Sequence, residues 1–110
     1  MILLRIVSKN EAMLDEVAGL LLKENLAIDV NMKRHLERIE LVDGFITSVR
    51  LFLLTAKTRS LLFETIQLKL REKYGNNLPE IYALPIVNMD WKSADDIHSK
   101  VRQEIASEDV

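Results

Sequence analysis

Hydrophobic and polar residues alternate along the chain in a pattern that predicts strands and helices following one another without a linker. Ile2–Ser8 is almost continuously apolar, which predicts a strand covered on both faces. Apolar residues then recur at helical spacing up to about Asn25, and Asn10 is the predicted N-cap of this helix. The same reasoning predicts a second helix over about Arg59–Tyr74, a strand over Ile81–Val87 and a third helix.

The longest predicted element is a β-hairpin whose arms are Ile28–Val42 and Phe45–Lys57. Asp43-Gly44 joins the arms, and Asp-Gly favours a two-residue turn in which both residues have positive φ. At about 3.3 Å per residue each arm spans roughly 45 Å. A globular domain of this length has a radius of gyration of only about 13 Å. The hairpin is therefore expected to project beyond the body of the domain.

The turn also fixes a register for the hairpin. Glu37 falls opposite Arg50 and apolar residues fall opposite apolar residues, which are favourable cross-strand pairs. Closer to the base the same register pairs cations with leucines. One extra residue near Arg34–Leu36 removes this mismatch, so we predict a β-bulge there, with Asp29 facing Lys57 below it.

Turn and capping residues define the ends of the later elements. Thr58 or Ser60 is predicted to cap the second helix, and Ser93 is predicted to cap the third in a capping box with Asp96. Pro85 places the last strand at a sheet edge or makes it end there. The third helix is predicted to bury Ile97, Val101 and Ile105. The polar tail that follows it, segment 107–110, is predicted to be solvated.

The order of these elements predicts one α+β domain over residues 1–110, a ferredoxin-like split βαβ sandwich. Its four-stranded antiparallel sheet would carry two helices on one face. Segments such as Leu51–Leu54 place apolar side chains on both faces of the sheet, and two helices cover only one of them. A second apolar face of this size predicts a homo-oligomer packed through its sheets.

Composition excludes several classes of function. The 110 residues carry a formal charge of −2 and 5% aromatics, which argues against nucleic-acid binding and against electrostatic membrane binding. No segment has the length of a membrane span or the pattern of a signal peptide. Cysteine is absent, so disulfides, thiolate metal sites and cysteine nucleophiles are excluded, and we expect a cytoplasmic protein.

Five short segments stand at characteristic intervals along the chain: Val30-Asn31, Gly44, Lys57-Thr58, Leu78-Pro79-Glu80-Ile81 and Leu84-Pro85. With these segments at these intervals the chain resembles the CutA family of divalent-cation tolerance proteins. The resemblance covers about Ile2 to Val87. It implies a ferredoxin-fold homotrimer with a long projecting hairpin, non-enzymatic and linked to divalent metal ion tolerance or signalling.

The chain also departs from the family pattern at positions related to metal binding. The family's cysteine corresponds to Asp29, its aromatic pair before the turn glycine to Leu41-Val42, and its His-Pro-Tyr motif to Tyr74-Gly75-Asn76. The Tyr and Trp of the family's last helix have no counterpart in register. The resemblance therefore implies a divergent member to which the fold and the trimer carry over, while most metal-related residues do not.

Two groups of residues are candidate sites. His35 and Glu37 are two apart on the first arm of the hairpin and combine an imidazole with a carboxylate, which suits Cu²⁺ or Zn²⁺ when a trimer supplies several copies. The alternative is a solvated or inter-subunit polar face with Glu37 paired to Arg50. Asp29, Lys57 and Glu80 match positions around the family's cleft and would bind a small anion. The alternative there is an ion pair that closes the hairpin base, because partly buried charges are normally paired.

The leading functional hypothesis is thus the trimeric, non-enzymatic CutA-like protein. The alternative is a PII-like sensor that binds a small molecule or anion in clefts between subunits. An acylphosphatase-like enzyme would need a glycine-rich loop after the first strand, where the chain has Ser8-Lys9-Asn10. An RNA-recognition module would need several aromatic residues on the middle strands, where the chain offers Phe52.

Overall fold

A computed structural model of the chain describes residues 1–103, which form one four-stranded antiparallel sheet with helices packed against it. The elements are β1 Ile2–Ser8, α1 Glu11–Lys23, β2 Ile28–Val42, β3 Phe45–Thr58, α2 Phe63–Tyr74, β4 Glu80–Pro85 and α3 Trp91–Lys100. The strand order is β2-β3-β1-β4, as expected for the predicted split βαβ topology. No helix within residues 1–103 is long and apolar enough to cross a membrane.

The main hydrophobic core lies between one face of the sheet and the helices. Leu4 and Ile6 of β1 and Leu54 of β3 are fully buried in it, because the central strands point alternate residues toward the helices. Leu14, Val17 and Leu21 supply the buried stripe of α1, while Ile66 and Leu70 supply that of α2. Ile97 and Val101 bring the end of α3 into the same core, as predicted. Ile105 and segment 107–110 lie outside the described residues.

The opposite face of the sheet also carries an apolar cluster, as the sequence predicted. Val7, Leu51 and Leu53 are buried there, with Leu36 and Val49 against them. Next to them the surface is mixed, since Arg5 donates from Nε to the Tyr82 hydroxyl at 2.7 Å. The outer part of the hairpin exposes further large apolar side chains, among them Phe45 and Ile46.

Two of the three predicted helix starts are wrong. Asn10 does cap α1, accepting a hydrogen bond from the Met13 amide at 3.1 Å. The cap of α3 is Asp90, which accepts from the Ser93 amide at 2.9 Å, so Ser93 lies inside the helix and forms no capping box with Asp96. Asp and Ser are comparable N-caps, and the sequence offered both within three residues.

The start of α2 has no side-chain cap at all. The chain enters it through a short 3₁₀ turn at Ser60–Leu62. Thr58, one of the two predicted caps, is fully buried and donates its hydroxyl to the Leu26 carbonyl at 2.6 Å. This bond joins the end of β3 to the loop between α1 and β2. The Thr58 hydroxyl therefore forms a tertiary hydrogen bond and does not cap α2, contrary to what the local sequence pattern predicted.

The hairpin projects from the body as predicted. Asp43 and Gly44 have φ of 51° and 82°, which are the two positive values that the turn requires. The molecule measures 52 × 32 × 20 Å, and its radius of gyration of 15.4 Å exceeds the roughly 13 Å of a compact domain of this length. The predicted pairing of Glu37 with Arg50 and the bulge are confirmed, because Arg34 and His35 together oppose Phe52.

A second bulge near the hairpin base was not predicted. The register shifts between Ile28 and Asn31, so Lys57 lies opposite Ile28 and not opposite Asp29. Asp29 adopts a left-handed backbone conformation with φ of 50°. Aspartate tolerates this conformation better than most residues, because its short polar side chain forms local hydrogen bonds. The predicted register is therefore correct as far as Asn31 and wrong below it, where Asp29 was expected to face Lys57.

Candidate functional site

The base of the hairpin holds the ion pair between Asp29 and Lys57. Lys57 Nζ lies 3.2 Å from Asp29 Oδ2, although the two residues are out of register. Asn31 donates from its side chain to the Asp29 carbonyl at 3.1 Å, which fixes the bulge. The pKa of the nearby Asp90 carboxyl lies below its usual range because it accepts hydrogen bonds from Ser93, and the charge of Lys57 adds to the effect. The charge of Lys57 therefore acts on two carboxylates, and it is paired with that of Asp29.

Glu80, the third residue predicted around this cleft, lies elsewhere on the sheet. In β4 it pairs with Val7 of β1, whereas Lys57 of β3 pairs with Leu3. Four residues along β1 separate these two levels by about 13 Å. Glu80 instead accepts from Arg38 at 2.8 Å. One chain therefore brings Asp29 and Lys57 together but keeps Glu80 apart from them.

His35 and Glu37 line one groove beside the central bulge. The groove has a volume of about 390 Å³, and Leu36 and Arg50 complete its lining. Arg50 Nη2 donates to the Arg34 carbonyl at 3.2 Å and lies 3.3 Å from His35 Nδ1. Because a guanidinium has no acceptor, Nδ1 must accept this bond, and the neutral imidazole then carries its proton on Nε2.

Glu37 does not form the ion pair that the sequence predicted as its alternative role. It lies opposite Arg50 in the ladder, but Arg50 directs its guanidinium toward the bulge. Among the described residues 1–103, Glu37 takes part in no salt bridge. Within the same residues, no group of three or more His, Asp or Glu side chains could hold a metal ion. The groove thus contributes two donor groups from one chain.

Two arginines of β2 that sequence reasoning missed hold the hairpin from opposite faces of the sheet. Arg34 contacts α1, at 2.6 Å from Glu11 and 3.2 Å from Asp15. Arg38 reaches Glu80 on the face away from the helices. On a regular strand, Arg34 and Arg38 would point to the same face because they are four residues apart. The central bulge adds one residue and so turns them to opposite faces. The predicted bulge was therefore the signal from which their opposite roles could have been inferred.

We expect the left-handed conformation of Asp29 to matter more for stability than its ion pair. Asp29→Asn removes the charge but tolerates positive φ, so it should cost only the roughly 0–1 kcal/mol of an exposed ion pair. Asp29→Ala should cost about 1–2 kcal/mol more, because alanine is strained in this region. Urea unfolding of the two variants and wild type measures the difference. Equal losses for Asn and Ala would contradict a strained backbone at this position.

The sequence model of the CutA1 divalent ion tolerance protein family matches residues 2–99. The chain belongs to this family. No curated protein sequence matches closely enough to add to the assignment. The match covers both bulges, the turn and the strands that carry Asp29, Lys57 and Glu80, so the family resemblance found in the sequence is confirmed.

Solved CutA1 structures share the fold. CutA1 from Oryza sativa superposes with a TM-score of 0.80 at 24% identity, covering 94% of each chain. The divalent cation tolerance protein Cut A1 from Thermus thermophilus superposes with a TM-score of 0.78 at 25% identity, covering 93% of this chain and all of that one. CutA from Archaeoglobus fulgidus, described as a periplasmic divalent cation tolerance protein, superposes with a TM-score of 0.77 at 24% identity. The superposition covers 93% of this chain and 100% of that one. The long hairpin is thus part of a fold shared across the CutA1 family.

Proposed function

We propose that this CutA1 family member acts as a homotrimer in divalent-ion tolerance and catalyses no reaction. The names of the similar proteins describe tolerance of divalent ions, which supports the general role. The observation that carries the assembly is the apolar surface of the outer hairpin, defined as residues 39–46. A protein that covers this surface with its own copies gains stability and a fixed geometry for binding.

The outer hairpin exposes apolar side chains on both of its faces. Leu41 pairs with Ile46 and Val42 pairs with Phe45, and successive pairs point to opposite sides of the ribbon. Together with Ile39 these side chains are 47% to 73% exposed. A two-stranded ribbon is marginally stable by itself in water, so both faces need cover. A closed ring in which each hairpin contacts two other copies provides it, which favours a trimer over a two-fold dimer.

The alternative of a PII-like sensor for small anions has less support. Its candidate residue Lys57 already pairs with Asp29, so an anion would have to displace a carboxylate. The two-residue turn at Asp43-Gly44 also leaves no long loop that could close over a ligand. A divalent cation that binds at His35 and Glu37 agrees better with the family's name.

Sedimentation equilibrium at micromolar concentration tests the trimer. Wild type should show three times the 12.7 kDa mass of one chain. The double variant Phe45→Lys/Ile46→Lys places one charge on each face of the outer hairpin and should shift the mass toward one chain. Leu68→Lys is the matched control, since Leu68 is 50% exposed on α2, and it should remain trimeric.

Each alternative mass has a defined meaning. A wild-type mass of one chain would overturn the assembly, and a mass of two chains would overturn the closed trimer. A trimer that the double lysine variant leaves intact would show that the outer hairpin does not carry the association. Far-ultraviolet circular dichroism of all variants confirms that the sheet remains folded.

A further inference from the structure

We propose that a groove at the start of β4 binds a small organic acid with an apolar tail, and that Lys9 and Arg38 hold its carboxylate. The groove opens on the face of the sheet away from the helices, where the end of β1, the hairpin and the first residue of β4 meet. It is separate from the groove at His35 and from the ion pair of Lys57. The inference goes beyond divalent-ion tolerance, because it concerns an organic ligand.

The volume and the apolar lining of the groove suit a small molecule. The groove has a volume of about 310 Å³. At about 30 Å³ per water molecule, this space corresponds to roughly ten non-hydrogen atoms. Val7 and Leu51, each 4% exposed, form part of the lining together with the buried Pro79 and the half-buried Leu78. An apolar lining with a few polar groups is typical of sites that bind small molecules.

The charged groups of the lining favour an anion. Lys9 and Arg38 supply two positive charges to the groove, and Glu80 supplies one negative charge. Glu80 is paired with Arg38 at 2.8 Å. Lys9 forms no salt bridge with any carboxylate of residues 1–103. The lining therefore keeps one uncompensated positive charge, which matches a ligand that carries one negative charge.

Arg5 adds positive charge beside the groove. It precedes Val7 by two residues on β1 and so shares its face of the sheet. Its Nε donates to the Tyr82 hydroxyl at 2.7 Å, and it too forms no salt bridge within residues 1–103. Glu40, whose charge acts on Arg38 from farther along β2, offsets part of this field. Arg5 therefore strengthens the attraction of an anion to this face without lining the groove itself.

Arg38 can bind a ligand without releasing Glu80. Its Nη2 donates to Glu80 Oε2 at 2.8 Å, and a guanidinium has five N–H donors, so other donors remain for a carboxylate. The ion pair also holds the guanidinium at the groove, which reduces the entropy lost when a ligand binds.

Glu80 limits the charge of the ligand. Its carboxylate lines the same groove and repels any negative charge placed there. A second negative charge on the ligand would meet this repulsion with no further cation in the lining to balance it. The groove is therefore expected to prefer monocarboxylates over phosphate monoesters.

Titration of the ¹⁵N-labelled full chain with sodium phenylacetate at fixed pH, followed by nuclear magnetic resonance, tests the site. Phenylacetate combines one carboxylate with an apolar ring and fits the space of roughly ten non-hydrogen atoms. The largest shifts should occur at the amides of residues 7–9, 38, 78 and 80. 2-Phenylethanol lacks the charge and acetate lacks the tail, so each should bind at least about tenfold more weakly. Phenyl phosphate should also bind more weakly than phenylacetate.

Substitutions at the charged groups give opposite expected results. Lys9→Gln and Arg38→Gln should each weaken phenylacetate binding about threefold to tenfold, because each removes one cation from the groove. Glu80→Gln should tighten it about threefold, because it removes the repulsion between two carboxylates. Lys23→Gln and Glu64→Gln are the matched controls, exposed on α1 and α2, and should change the affinity by less than about twofold.

Several results would overturn the proposal. They are equal binding of 2-phenylethanol and phenylacetate, unchanged affinity in Lys9→Gln, weaker binding in Glu80→Gln, and shifts centred on Lys57 and not on the groove. The spectra of the variants also report folding, since amides of β1 and β3 distant from the groove should coincide with those of wild type. A trimer that does not bind phenylacetate overturns this site alone, whereas a monomer that binds it as described overturns the assembly alone.

Discussion

Leu54→Ala should produce the largest loss of stability of any single substitution considered for this chain. Leu54 is fully buried near the middle of β3, opposite Ile6 of β1 and Met32 of β2. Replacing a buried leucine by alanine costs about 2–5 kcal/mol, since the surrounding side chains only partly fill the cavity. The upper half of this range applies here, because strands on both sides restrict collapse. Urea unfolding followed by circular dichroism at one protein concentration measures the change.

Leu68→Ala is the control for this experiment. Leu68 is half-exposed on α2, where alanine is a good helix former, so the variant should differ from wild type by no more than about 0.5 kcal/mol. The slope of free energy against urea should stay the same in both variants, which would show that the surface exposed on unfolding has not changed. A loss below about 1 kcal/mol for Leu54→Ala would mean that the core between the sheet and the helices is not tightly packed.

Much of the fold could be predicted because each signal was local and strong. The Asp43-Gly44 turn fixed the hairpin register from one end, and the position of the central bulge followed from pairing charges and apolar residues outward from it. The order of strands and helices then left few topologies to consider. Pro85 was predicted to mark an edge position or a strand end, since proline cannot donate to a ladder, and both hold: β4 is an edge strand, and it ends at Pro85 and not at the predicted Val87.

The errors occurred where tertiary contacts overruled local preference. The hydroxyl of Thr58 bonds to Leu26 across the fold, and no spacing along the chain reveals such a partner. The second bulge depends on the positive φ of Asp29. Many aspartates could adopt this conformation but do not, so the residue type alone does not predict a bulge. The functional site was affected in the same way. Pairing of opposite charges predicted that Arg50 contacts Glu37, whereas in the structure Arg50 contacts the Arg34 carbonyl and the His35 imidazole at the bulge.

The hairpin turn gives the second large effect. In Asp43→Ala/Gly44→Ala both residues would keep positive φ only at a cost of about 1–2 kcal/mol each. Nothing lies within 4 Å of a Cβ built on Gly44, so the cost there is conformational and not a clash. The outer hairpin has little buried surface to offset this cost, so the loss should appear as local opening and not as unfolding of the domain.

Amide hydrogen exchange distinguishes local from global opening. In the double alanine variant, residues 39–48 should lose most of their protection while amides of β1 keep theirs. Asp43→Asn is the matched control, because asparagine is at least as well suited as aspartate to this turn, and it should resemble wild type. If the hairpin closes the trimer, the double variant should also shift toward lower mass on dilution. Protection equal to wild type in the outer hairpin would contradict the view that two positive-φ residues hold the ribbon together, and the apolar pairs alone would then be sufficient.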